Sequence, residues 1–198
     1  SALFFARRGA EVTVTDLRGP DALAPSLERL AGLPVRFVLG RHDVADFESA
    51  DLVIKNPAVP TGSPFLAAAR DRSVPVETDV SVFLSLLRCP VIAVTGTKGK
   101  STTASAIHHG LLRVSPGARL GGNITVSPLE FLDDLAPTDP VVLELSSWQL
   151  GDLAGRRVLA PRVSVLTVLL PDHLDRYPDM DAYVEDKKAV FREQEPGQ

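Results

Sequence analysis

The 198-residue chain carries 21 Lys and Arg against 25 Asp and Glu, a formal net charge of −4. Its 44% hydrophobic and 23% charged content is that of an ordinary globular protein, with room for one large or two small domains. The acidic balance and the lack of a basic stripe give nucleic-acid binding no support, and no run of about 18 apolar residues offers a membrane span. Residues 2–6 are too short for a signal-peptide core, and the lone Cys89 permits no disulfide framework, which fits a reducing cytoplasm. Ser1 is not an initiator Met and residues 2–8 read as mid-helix, so an internal piece of a longer chain is expected.

In chain order, residues 2–9 predict a helix ended by Gly9, and Glu11–Thr15 a β-branched strand ending at Asp16. A turn over Arg18-Gly19-Pro20 leads to a helix over 21–31, a strand over Val35–Leu39 and a third strand over Asp51–Ile54. Ser63-Pro64 opens a helix over 64–72. A short strand over Val74–Glu77 and a helix over 79–87 follow, and Arg88-Cys89-Pro90 marks a boundary. Strands are then expected at Val91–Thr95, Val141–Leu145 and Arg162–Leu170, the last apolar enough to be central, and a final helix over 179–194. Alternating strands and helices at this spacing predict parallel sheets with helices on both faces.

The most informative stretch is Val91-Ile-Ala-Val-Thr95 running into Gly96-Thr97-Lys98-Gly99-Lys100-Ser101-Thr102 and then a helix-compatible run to Leu112. Strand, glycine turn and helix start form a phosphate loop, in which backbone N–H groups and the helix dipole hold phosphate oxygens. Lys100 would reach the terminal phosphates of a nucleoside triphosphate, and Ser101 would ligate Mg²⁺. Val94 stands where the usual pattern has its first glycine, so a simple glycine turn before a helix is the competing reading.

Ligands of open α/β sheets sit beyond the C-terminal strand ends, and several polar groups fall there. Glu144, in an apolar strand, is either a Mg²⁺ ligand beside Ser101 or a carboxylate facing solvent from an edge strand. His173 follows Asp172 in a polar loop, where a histidine can be structural or functional. Lys187 and Lys188 lie among Glu185 and Asp186, a pattern that on spacing alone describes a solvated face. Trp148 can line a pocket or belong to the core, and Asp16 can contact a ribose or simply shape a turn.

Taken together, Thr95–Thr102, Gly122-Asn123-Ile124, Leu143-Glu-Leu-Ser-Ser-Trp-Gln-Leu150, Asp172-His-Leu-Asp-Arg-Tyr-Pro178 and Tyr183-x-x-x-Lys187 resemble the Mur ligases over nearly the whole chain. The two longer motifs resemble its D-glutamate-adding branch. The resemblance implies a Rossmann-like UDP-sugar domain over 1–88, truncated at its start, and a P-loop NTPase-like central domain over 89–198 with a mostly parallel sheet. It also implies a third domain beyond this sequence. It implies a monomeric cytoplasmic enzyme of peptidoglycan precursor synthesis. ATP, with Mg²⁺, would activate the carboxylate of UDP-N-acetylmuramoyl-L-alanine as an acyl phosphate, and D-glutamate would displace the phosphate. By resemblance Lys100, Glu144, His173 and Lys187 are catalytic, His173 holding a second Mg²⁺ and Lys187 becoming a ligand once carbamylated. Asn123, Ser146 and Gln149 match positions near substrate and phosphates, and Asp16 and Arg18 the uridine site.

Three positions depart from the family pattern: Thr125 for glycine, Val168 for asparagine, and Ala58 for the glycine of a Ser-Pro-Gly turn. Lost glycines are expected to alter tight turns. A folylpolyglutamate-type or other amide ligase, or a nucleotide-binding protein without ligase activity, are the competing functional expectations.

Overall fold

The computed structural model describes residues 1–124, 126–173 and 176–194, so the departure at Thr125, and Leu174 and Asp175 of the loop motif, lie outside it. It divides into two compact units, Ser1–Glu77 and Thr78–Gln198.

In the first unit, helices α1 (Ala2–Ala6), α2 (Pro20–Arg29), α3 (Val44–Glu48) and α4 (Pro64–Asp71) alternate with strands β1 (Val12–Asp16), β2 (Val35–Leu39), β3 (Val53–Ile54) and β4 (Val76–Glu77). The strands pair in parallel in two separate ladders, β1 with β2 and β3 with β4, and one isolated antiparallel bridge joins Asp16 and Arg41. Proline opens both α2 and α4, where its missing N–H costs nothing. Phe47, Leu66, Ala69 and Val74 form a buried cluster under α3 and α4. The Asn56-Pro57-Ala58 turn needs no glycine, because Asn56 Oδ1 accepts from the Ala58 N–H at 2.9 Å and φ at Ala58 is not positive.

The second unit starts with α5 (Asp79–Leu86), whose Thr78 cap and Ser81 side chain form a reciprocal capping box. Next come β5 (Val91–Thr95), α6 (Lys100–Leu111), β6 (Arg119–Gly122), β7 (Val141–Glu144), α7 (Ser147–Leu153), β8 (Val163–Leu166) and α8 (Met180–Arg192). They form one parallel sheet in the order β6-β7-β5-β8. Val94, Val141, Val142 and Leu143 are fully buried, each contributing roughly 1.5–3 kcal/mol of apolar burial. Contrary to the expectation of a long central strand, β8 stops at Leu166 and lies at an edge among the described residues. Thr167–Leu170 leaves the ladder because its polar groups bond to the glycine turn instead. Register brings Glu144 opposite both Val94 and Gly122, so polar groups after β5, β6 and β7 share one edge.

Candidate active site at the phosphate loop

Between β5 and α6 the chain turns at Gly96, φ +141°, and Gly99, φ +83°, both conformations that favour glycine. A Cβ on Gly96 would stand 2.0 Å from Thr167 Oγ1, so the position also has no room for a side chain. The Thr167 hydroxyl donates to Lys98 O at 2.6 Å. The Thr97 N–H donates to Val168 O at 2.7 Å, so this amide is spent on the protein rather than left open to an anion. Because the backbone makes that bond, valine at 168 preserves the tether. Lys100 is the first residue of α6, with Nζ 3.0 Å from Thr97 O. Ser101 and Thr102 are exposed at the same helix start, where unpaired N–H groups and the dipole favour an anion.

Glu144 ends an interior strand, which removes the edge-strand reading, and it is 2% exposed. Its Oε1 accepts from Asn123 Nδ2 at 3.0 Å, while Oε2 is buried with no hydrogen-bond partner among the described residues. Asn123 is positioned by Gly122, φ +97°, where a Cβ would stand 2.2 Å from Glu144 O. A buried carboxylate oxygen left unpaired is costly, and a hard cation is the partner its chemistry suits. No group of three His, Cys, Asp or Glu side chains forms a ready cage among the described residues. The donors therefore fit an ion that keeps waters and phosphate oxygens in its shell, as Mg²⁺ does.

Lys187 is 2% exposed rather than solvated. Its Nζ donates to Gly96 O at 2.9 Å and lies 4.7 Å from the centre of the Tyr183 ring. Burial, and then the charge of Lys100, push its pKa down to about 8. Lys188, its neighbour, makes the surface pair with Glu185 at 3.2 Å. His173 holds φ 55°, a strained value for a non-glycine residue, and its ring lies 5.1 Å from that of Trp148. Arg176 covers the Trp148 ring at 4.0 Å.

Lys100, Asn123, Ser146, His173 and Lys187 line one open cleft of about 190 Å³, and Glu144 joins them through Asn123. Gln149 is 4% exposed and receives the Ser146 N–H at 3.0 Å, so it caps α7 and orients Ser146. Asp16 and Arg18 lie in the first unit, paired at 2.8 Å. That hydrogen-bonded pairing holds the Asp16 carboxyl at about 2. Asp172 and Tyr183 also line the cleft, although sequence reasoning gave them no role of their own. Their motifs were visible, but the burial of Tyr183 was not.

A parallel sheet with a glycine turn, Lys-Ser and a helix at its strand ends defines the architecture of a phosphate-loop nucleotide-binding domain. The family model of the Mur ligase middle domain matches residues 94–198, and the chain belongs to the Mur ligase family. It is 47% identical over 196 residues to a UDP-N-acetylmuramoylalanine--D-glutamate ligase of Roseiflexus sp. (strain RS-1), covering 99% of this chain and 42% of the relative. The same-named protein of Treponema pallidum (strain Nichols) is 47% identical over 206 residues, covering 98% of this chain and 39% of the relative. The chain thus spans about two fifths of the length of these relatives. Among solved structures, UDP-N-acetylmuramate-alanine ligase from Thermotoga maritima matches with a TM-score of 0.57 at 25% identity, over 98% of this chain and 44% of that one. The UDP-N-acetylmuramate:L-alanyl-gamma-D-glutamyl-meso-diaminopimelate ligase from Neisseria meningitides shares the fold, with a TM-score of 0.65 at 22% identity over 98% of this chain and 64% of that one.

Proposed function

We propose that the chain is the nucleotide-binding part of an ATP-dependent ligase that joins D-glutamate to UDP-N-acetylmuramoyl-L-alanine in peptidoglycan precursor synthesis, acting as a cytoplasmic monomer. The observation that carries the reading is the unpaired, buried Glu144 Oε2 beside a cleft that also holds Lys100, His173 and Lys187. The names of the 47% identical relatives support the choice of substrates.

In this reading a substrate carboxylate oxygen attacks the γ-phosphorus of ATP, ADP leaves, and an acyl phosphate forms. The D-glutamate nitrogen then attacks the acyl carbon, phosphate leaves, and an amide results. Lys100 and the N-terminus of α6 bind the terminal phosphates and offset their charge. Gly96–Thr102 cradle the nucleotide. Asn123, Ser146 and Gln149 orient the substrate end, and Asp16 and Arg18 the uridine. Ser101 and Glu144 would hold one Mg²⁺ and His173 a second. Mg²⁺ bound there supplies neutralisation of the charge on the transferred phosphoryl group. Lys187, with its lowered pKa, keeps a share of neutral amine near pH 7 that can add CO₂, lose a proton and become a carbamate, an anionic ligand where the lysine was a cation.

The test is phosphate release from ATP by the full-length protein. Release that requires both UDP-N-acetylmuramoyl-L-alanine and D-glutamate is expected. Release indifferent to the UDP-sugar, or tight ATP binding with no turnover, rejects the reading.

A further inference from the structure

Three segments of the second unit meet at one buried oxygen. Thr97 Oγ1 receives the Leu170 N–H at 3.0 Å, lies 3.1 Å from Leu170 O and 2.9 Å from the Tyr183 hydroxyl. Thr97 is 4% and Tyr183 1% exposed, so the bond between their hydroxyls is shielded from water, and the two bonds to Leu170 are partly buried. A hydroxyl has one proton and two lone pairs. The Leu170 carbonyl has no proton to give, so the Thr97 proton goes to it. The two lone pairs then take the Leu170 N–H and the Tyr183 O–H, which makes Tyr183 the donor and closes the count.

Each segment leads to a side chain with an assigned task. Thr97 precedes Lys100 in the loop, Leu170 precedes His173, and Tyr183 lies one helical turn before Lys187 on α8. Lys187 itself donates to Gly96 O, the residue before Thr97. We propose that Thr97 and Tyr183 are positioning residues, a strut that locks the phosphate loop, the His173 loop and the Lys187 helix into the one arrangement that binds nucleotide. The inference rests on reading the cleft as an ATP site.

The test measures the Kd of the full-length protein for ATP by calorimetry, well below the thermal midpoint of each variant. Thr97→Val, close in shape, removes all three bonds and raises Kd about fifty-fold. Tyr183→Phe removes one donor, keeps the ring, and raises Kd about five-fold. The double variant binds no more weakly than Thr97→Val alone, since Tyr183 then has nothing to hold. Thr97→Ser, which keeps the oxygen, rescues most of the affinity lost in Thr97→Val. Tyr183→Phe binding as tightly as the unaltered protein, with or without a lowered midpoint, overturns the strut, as do fully additive effects in the double variant. A folded, unaltered protein with no affinity for ATP overturns the ATP reading and the strut with it, an outcome distinct from the first two. Tyr183→Phe and Thr97→Ser decide the matter even where Thr97→Val fails to fold.

Discussion

In the first unit the candidate ligand groups complete each other. Asp16 and Arg18 share an ion pair, with side chains 30% and 64% exposed, and water solvates what remains. In the second unit Glu144 and Lys187 are both 2% exposed, with one carboxylate oxygen unpaired and the ammonium held by a carbonyl and a ring face. Folding gains little from such an arrangement, because desolvating a charge costs more than these partners return. A polar group that is buried yet incompletely paired is therefore the sharper pointer to chemistry, whereas an exposed pair is compatible with binding and with no role at all.

Glu144→Gln tests the sharper side of that contrast and carries the largest expected effect. It keeps the shape and the Asn123 contact but deletes the charge. Turnover of the full-length protein should fall by about a hundred-fold or more, while the thermal midpoint stays level or rises. A midpoint lowered by several degrees means the carboxylate serves the fold, and the contrast between the units collapses.

Lys187 offers the next largest effect, through pH. Its folded pKa is about 8, below the unfolded value near 10.4. Between those values the unfolded chain binds more protons than the folded one, so stability rises as pH increases through the window. Below about 8 both states are protonated and the full cost of the buried charge is present. Urea unfolding from pH 7 to 10 in CO₂-free buffer should show this rise in the unaltered chain and a flatter profile in Lys187→Met. Identical profiles mean that Lys187 is hydrated in solution.

The smallest effect is expected at Arg18. Arg18→Ala should leave the thermal midpoint within about one degree and let the Asp16 carboxyl return towards the ordinary carboxylate range. Titration followed by NMR, with a thermal scan, checks both. A large loss of stability would show that the pair does more than satisfy itself.

The phosphate loop was legible because the β-formers, the glycines and Lys-Ser all act locally. Other elements left weaker marks. β6 reads Arg-Leu-Gly-Gly, with no β-branched run, and becomes a strand only because β7 pairs with it. α7 carried a readable signal, Ser146 with Gln149 three residues on, which forms a capping box. The end of β8 could not be read from its apolar run, since distant partners in the glycine turn decide it. On α8 the charges at 185, 186 and 188 concealed a buried stripe, Tyr183, Lys187 and Val190, at the spacing of one helix face. Spacing alone described a solvated face there, and only the packing of the helix puts Lys187 on the buried one. The pairing of Glu144 with Asn123, 21 residues apart, needed the sheet register.

The ties on Gly96, Thr97 and Lys98 from Thr167, Val168 and Lys187 also have a thermodynamic meaning. A loop of glycines free in solution would surrender its disorder at the moment of binding. Here that conformational entropy is given up once, during folding, and is offset by the packing of the whole domain. An anion arriving at the helix start meets a receptor already in shape, so its affinity is taxed by little reorganisation.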